Sequence, residues 1–124
     1  MLQASRNSSL QSGQEPARVD GAFDALVREI GHDGASEVRA VFWSDTDARL
    51  ALFKTLGPAE QRARIEREAH SLKGSARTFG YLRLAALAVR LEKGAAALDA
   101  DGYDALLRAM DDAYAAARAQ DPGV

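Results

Sequence analysis

The chain has 124 residues, with 16 lysines and arginines, 18 acidic residues, two histidines and no cysteine. A chain of this length forms one compact domain with its own core. The absence of cysteine excludes disulfides, cysteine nucleophiles and thiolate metal sites, and the near balance of charge argues against a nucleic-acid-binding protein.

The composition divides the chain into a polar tail and a helical domain. Residues 1–19 are mostly Ser, Gln, Asn, Gly and Arg, which bury too little apolar surface to offset the entropy of ordering. We therefore expect a flexible N-terminal tail over residues 1–19, a helical domain over residues 20–120 and a C-terminal tail over residues 121–124. Neither a signal-peptide core nor a run of about 20 apolar residues is visible, so we expect a cytoplasmic protein with no membrane partner.

The first half of the domain shows two segments with helical spacing of apolar residues. Asp20 is the expected N-cap of a short helix over residues 21–30, which Gly31 ends. A longer helix opens at residues 34–36 and continues to Leu56. Its weakest part is the stretch Ser44-Asp45-Thr46-Asp47, where we expect a kink or an exposed turn because these side chains compete for backbone groups.

Helix start and stop signals predict three further helices in the second half. Gly57-Pro58 marks a boundary, since Gly ends one helix and Pro suits the first position of the next. The expected ranges, each closed by a glycine or a looser segment, are 58–78, 82–93 and 103–119. Short connections between helices favour antiparallel neighbours. The predicted fold is therefore all-α, an antiparallel four-helix bundle with a short additional N-terminal helix.

One stretch of the third helix combines residue types that suit chemistry. Ala69 and Leu72 belong to the apolar stripe, so His70 is turned about 100° away from it and should lie at the edge of the buried face. Lys73 and Gly74 follow at three and four residues, and both neighbour His70 on the helix surface.

A glycine inside a helix costs roughly 1 kcal/mol relative to alanine, so its presence needs a reason. Gly74 opens space around the ring of His70, and Lys73 places a positive charge within reach. An imidazole is a nucleophile that is largely neutral at pH 7. Open space, a nucleophile and a cation together indicate a small anion attached to the ring, and phosphate is the natural candidate.

The run from Ala69 to Ser75, with Gly80 after it, resembles the signature of histidine-containing phosphotransfer (HPt) domains, the relay modules of phosphorelays. Phe42, the helix break before Pro58 and the Leu-rich helix ending near Glu92 also have counterparts in that family. The resemblance covers roughly residues 20–119.

The resemblance implies roles for individual residues. His70 would accept a phosphoryl group on Nε2 from a receiver-domain phospho-aspartate and pass it to another receiver aspartate. Lys73 would hold the phosphate oxygens, and Gly74 would admit the partner's loops. Arg77 departs from the small or polar residue usual at that position, and we expect it to influence partner choice. The remaining expected residues are Ser71, Ser75 and Glu66 at the docking surface, and Leu72, Phe79 and Gly80 as structural support.

The resemblance also implies the partners and the absence of a resident cofactor. The partners would be receiver domains of response regulators or of a hybrid histidine kinase, and the receiver would supply Mg²⁺. No metal, no nucleic acid and a monomeric state are expected. With no independent turnover, the protein would be a phosphorylated intermediate.

Two other functions stay open at this point. The chain could be the phosphorylated domain of a histidine kinase, although 124 residues leave no room for an ATP-binding domain. It could also be a helical adaptor that kept the fold and lost the chemistry. Taken alone, Lys73 would be a surface lysine paired with Glu66 or another acid. His32 lies outside any motif and is given no role.

Overall fold

The computed structural model describes residues 15–120 and shows an all-α protein, as predicted. Within that range it contains four helices and no strand: α1 (Ala22–Phe53), α2 (Arg62–Thr78), α3 (Leu82–Gly94) and α4 (Ala100–Gln120). The short connections make successive helices antiparallel, and the most extensive packing is between α2 and α3. No helix in this part of the chain is long and apolar enough to cross a membrane.

Helix α1 contains the break that its sequence predicts and lacks the second one. Gly31 has φ 87° and ψ 163°, which interrupts the helical backbone between the short first segment and the longer second segment. Of the two expected alternatives at Ser44 to Asp47, the kink is wrong, because the helix continues through these residues. The exposed turn of helix is confirmed for Ser44, Asp45 and Asp47. Thr46 is fully buried, and the carboxylate of Asp47 lies 2.7 Å from the hydroxyl of Tyr114 on α4. Packing against α4 therefore outweighs the weak helix propensity of the residues from Ser44 to Asp47.

Two expected helix starts are displaced. Gly21, with φ 95°, is the N-cap of α1, and no side chain caps that helix. Asp20 instead accepts a hydrogen bond from Arg18 at 2.7 Å. Helix α2 begins at Arg62 rather than at Pro58, because the residues after Pro58 form a turn.

Helices α3 and α4 match their predicted ranges closely. Helix α3 ends one residue later than expected. Helix α4 starts three residues earlier, at Ala100, where a carboxylate oxygen of Asp99 accepts a hydrogen bond from the backbone N–H of Gly102 at 2.8 Å. That contact satisfies one of the free N–H groups at the helix start.

An aromatic cluster forms the core at the end of α2. Phe79 lies 5.1 Å from Phe42 between ring centroids, and Tyr81 stacks on Trp43 at 5.2 Å. Tyr114 closes the cluster against Trp43 at 5.7 Å. Phe79 is therefore buried structural support, and the cluster fixes the C-terminal end of α2 against α1 and α4.

The described part of the expected N-terminal tail is attached to the bundle. Residues 1–14 and 121–124 lie outside the described residues. The N-terminal arm, residues 15–20, is held by backbone hydrogen bonds: Val19 N–H donates to the Gly80 carbonyl at 2.8 Å, and Arg83 N–H donates to the Pro16 carbonyl at 2.9 Å. The Arg83 side chain also donates to the Glu15 carbonyl at 2.8 Å. Composition does not reveal such contacts, because backbone groups make them.

Candidate functional site

His70 lies on the outer side of α2 with its imidazole open to solvent. The side chain is 66% exposed, whereas Ala69 and Leu72 beside it are fully buried. His70 is therefore exposed at the edge of the buried face, as the helical periodicity predicts.

Glu92 of α3 bridges His70 and Lys73. Its Oε2 atom lies 2.7 Å from Nδ1 of His70, and its Oε1 atom accepts a hydrogen bond from Nζ of Lys73 at 3.0 Å. Because a carboxylate can only accept hydrogen bonds, Nδ1 carries the proton in this contact. In the neutral imidazole, Nε2 is then left with a free lone pair.

Hydrogen bonds from two side chains of the site keep Glu92 ionised. The hydrogen bond from Lys73, and after it the hydrogen bond with His70, lower the pKa of Glu92 below its ordinary value of 4.5, against an opposing effect of burial. The Lys73 side chain is 18% exposed and that of Glu92 is 22% exposed. Lys73 is thus paired with Glu92, not with Glu66.

The surface next to His70 is free of obstruction at Gly74. A Cβ atom built on Gly74 would meet nothing within 4 Å. The hydroxyl of Ser75 donates to the Ser71 carbonyl at 3.0 Å, and that of Thr78 donates to the Gly74 carbonyl at 3.2 Å. The Ser75 hydroxyl is therefore engaged by its own helix, while the Ser71 side chain stays exposed.

The other expected residues lie around this centre. Glu66 is one turn before His70, with a carboxylate oxygen 3.7 Å from Nε of Arg62, and it lines a shallow hollow together with His70 and Glu92. Arg77 is exposed near the end of α2. Gly80 makes the turn into α3 with φ 77°.

The described residues offer no metal-binding group of their own. Across residues 15–120, no three His, Cys, Asp or Glu side chains are grouped so that they could hold a metal ion. The charged and titratable groups brought together at the site are one imidazole, one carboxylate and one ammonium group.

Sequence reasoning did not identify the part that Glu92 plays. It noted Glu92 only as the end of the Leu-rich helix with a family counterpart. A signal was present, because Glu92 follows Ala88 by four residues and Ala85 by seven. This spacing puts it on the side of α3 that faces α2.

Comparisons with known proteins give one family match and one curated relative. The chain matches the family model of the Hpt domain over residues 37–120. It is 32% identical over 99 residues to the phosphorelay protein LuxU of Vibrio harveyi, an alignment that covers 74% of this chain and 87% of that protein. No solved structure matches the sequence significantly.

The chain therefore belongs to the histidine-containing phosphotransfer (HPt) domain family. As a member of that family it is a phosphorelay intermediate in two-component signalling, and HPt phosphorelay proteins interact with receiver domains.

Proposed function

We propose that His70 is the phosphoryl acceptor, and that it takes the group from a receiver-domain phospho-aspartate and passes it to the aspartate of another receiver. The observation that carries this proposal is the 2.7 Å contact between Nδ1 of His70 and Glu92, which in the neutral imidazole leaves the Nε2 lone pair free on an exposed ring. His32, the other described histidine, lacks this arrangement: its Nδ1 atom lies 3.9 Å from a carboxylate oxygen of Asp33, and its ring packs edge-on against Phe23.

The transfer step follows from the protonation of the ring. The Nε2 lone pair forms the N–P bond while the P–O bond to the receiver aspartate breaks, and the bonding electrons leave with the aspartate carboxylate. The ring becomes positively charged because Nδ1 keeps its proton. Glu92, already ionised and within hydrogen-bond distance of Nδ1, stabilises that charge.

In this proposal Lys73 also stabilises the phosphoryl group, in addition to its ion pair with Glu92. Its ammonium group lies on the same helix face as His70, three residues on, and is bonded to Glu92. A phosphoryl group on Nε2 brings negative oxygens close to that face. Lys73 then offsets their charge, as expected for a reaction in which positioning and charge neutralisation dominate.

The receiver would dock on the open face of α2 and on the neighbouring part of α1. Gly74 supplies space for the partner's loops. Val38 and Val41 on α1 are 43% and 57% exposed. They line a hollow between α1 and α2 whose rim includes Asp45 and Arg49. An apolar patch with a charged rim is typical of a transient protein interface.

The proposal also covers the source of the metal ion, the docking surface, and the oligomeric state and location of the protein. The receiver supplies Mg²⁺ and most of the catalytic groups, and the HPt chain has no resident cofactor and no turnover of its own. Glu66, Ser71, Ser75 and Arg77 belong to the docking surface. The protein acts as a monomer in the cytoplasm and binds neither nucleic acid nor membranes.

The test is transfer from a phosphorylated receiver domain, with a parallel incubation in ATP. We expect label from the receiver that is stable to alkali and labile to acid, as phosphohistidine is. His70→Gln abolishes this label, and the matched variant His32→Gln keeps it. Both side chains are exposed, so neither change disturbs the core.

The other outcomes identify the alternatives. Label from ATP without any receiver would indicate a kinase domain. Absence of label with every receiver domain of the source organism would indicate an adaptor. Equal labelling of wild type and His70→Gln would show that another residue is the acceptor.

A further inference from the structure

A groove on the outer side of α3 adjoins the site described above and shares Arg77 with it. It is a hollow of about 430 Å³ between the last turn of α2 and the exposed side of α3. We call it the α2–α3 groove. Its floor is apolar, formed by Leu82, Ala86 and Val89, and two guanidinium groups flank it, those of Arg77 and Arg90.

The two arginines have no counter-ion in the part of the chain that the structure describes. Arg49, by contrast, is paired with Glu68 at 2.9 Å. Within residues 15–120 the exposed side chains of Arg28, Arg64, Arg67 and Arg108 also have no partner, so the position of Arg77 and Arg90 beside an apolar groove is what distinguishes them. Neither Arg77 nor Arg90 has a hydrogen bond or ion pair from its side chain to any of residues 15–120. Glu15 is the single acidic residue that lines the groove, and it pairs with neither of them.

The groove is continuous with the His70 face. Arg77 follows His70 by seven residues, which is about two helical turns, roughly 20° around the helix and about 10 Å along it. A receiver-sized domain of about 100 residues has a radius of gyration near 13 Å. A partner whose active site covers His70 therefore also extends over Arg77.

We propose that the α2–α3 groove is a second docking site for the receiver domain, and that it takes an acidic, partly apolar part of the receiver surface and so selects among receivers. This inference rests on the proposed function. Two unpaired positive charges beside an apolar floor are complementary to negative side chains on such a surface.

Charge decides against the nearest alternative occupant, the chain's own N-terminal segment. Residues 1–14 precede Glu15 in the sequence, and Glu15 lines the groove. That segment contains Arg6 and no acidic residue. It cannot neutralise Arg77 and Arg90, whereas an acidic receiver surface can.

The experiment compares two double variants of equal charge. The double variant Arg77→Glu, Arg90→Glu reverses the charge of the two side chains that flank the groove. Arg64→Glu with Arg108→Glu is the matched control, because both residues are exposed and lie outside the groove. Each is titrated with isolated receiver domains of the source organism. Transfer rates and affinities are measured at several salt concentrations.

We expect the groove variant to transfer about tenfold more slowly than the control with the best receiver. The wild-type rate should fall as the salt concentration rises, whereas the rate of the groove variant should not depend on salt. An acidic-to-lysine change on the receiver should restore part of the rate in the groove variant only. Equal rates and affinities for the groove variant and the control would overturn the proposal.

Two further results would also overturn it. If removal of residues 1–14 speeds transfer and the groove variant then behaves like the control, the chain itself covers the groove. If wild type dimerises and the groove variant does not, a second copy occupies it.

Receiver affinities of His70→Gln keep this proposal separate from the proposed function. If receivers bind that variant and wild type equally but phosphorylate neither, the relay proposal fails, while the groove is still judged by the affinities of the double variants.

Discussion

The Nδ1 atom of His70 lies 2.7 Å from a carboxylate oxygen of Glu92, across the interface between α2 and α3. The same carboxylate binds Lys73 through its other oxygen, at 3.0 Å. One side chain of α3 thereby determines which ring nitrogen of His70 carries the proton and where the neighbouring cation lies. The contact between α2 and α3 thus favours the tautomer in which Nε2 of His70 has a free lone pair.

Removal of Glu92 should change the tautomer of His70 and slow its phosphorylation. A hydrogen bond to a charged group contributes about 1.5–3 kcal/mol, so Glu92→Ala should lower the rate of transfer about tenfold to a hundredfold. Nitrogen chemical shifts of the imidazole measure the tautomer directly. We expect the proton on Nδ1 in wild type and a mixture in Glu92→Ala.

The matched control for that change is Glu66→Ala, one turn before His70 on the same helix. Its carboxylate contacts Arg62 and not the imidazole. If Glu66→Ala shifts the tautomer as much as Glu92→Ala does, the inter-helix contact is not its cause.

Loss of Lys73 should impair the phosphorylated form and leave the fold intact. Lys73→Ala removes the cation beside His70, so we expect slower transfer, or a phosphohistidine that hydrolyses faster, by about tenfold. The control is Lys93→Ala, an exposed lysine in the last turn of α3. A Lys73→Ala protein that is unfolded by circular dichroism would show that this lysine is structural.

Substitutions at two glycines should have opposite effects on stability. Gly74→Ala should raise the free energy of unfolding by about 0.5–1 kcal/mol, because the added Cβ meets open space inside a helix. Gly80→Ala should lower it by about 1–3 kcal/mol, because φ is 77° and the new Cβ would lie 2.8 Å from Cβ of Ala22. Denaturant titrations measure both.

A large side chain at residue 74 should block the partner without unfolding the chain. We expect Gly74→Trp to melt near the wild-type temperature and to lose transfer from the receiver. Ala115→Trp, on the exposed side of α4, is the control for added bulk. Wild-type transfer kinetics in Gly74→Trp would contradict the role of Gly74 as an access point.

Tyr114 should make the fold sensitive to high pH. Burial, and after it the hydrogen bond with Asp47, raises the pKa of Tyr114 from 10 to about 12. A pKa that is higher in the folded state means that the contribution to stability is complete below pH 10 and is lost as pH rises toward 12. The stability advantage of wild type over Tyr114→Phe should shrink in that range, as measured by urea titration. A constant difference from pH 8 to pH 12 would contradict this.

The sequence predicts the helical class and the clustering of the site residues well, because both follow from local spacing. His70, Lys73 and Gly74 are within one turn of a single helix, so periodicity alone places them together. The break at Gly31 is similarly local, since only the backbone of glycine adopts its positive φ readily.

Features that depend on packing between distant segments could not be predicted in the same way. Glu92 reaches His70 only because α3 folds back on α2, and the register of that pair is not visible in one sequence. The helix through Ser44 to Asp47 is kept by Tyr114, which is 67 residues away from Asp47. Local propensity is a weak guide where tertiary contacts decide.

The N-terminal arm shows that the unit that folds is longer than the segment by which the family is identified. The family match starts at residue 37, yet Val19 and Pro16 hold the backbone on both sides of the turn between α2 and α3, and Ala22 fills the space beside Gly80. A chain cut at residue 37 would keep His70 and lose the cover of the turn that ends its helix. Domain limits drawn from sequence similarity therefore mark what relatives share, and the hydrogen bonds of the arm mark how far the folded unit of this protein extends.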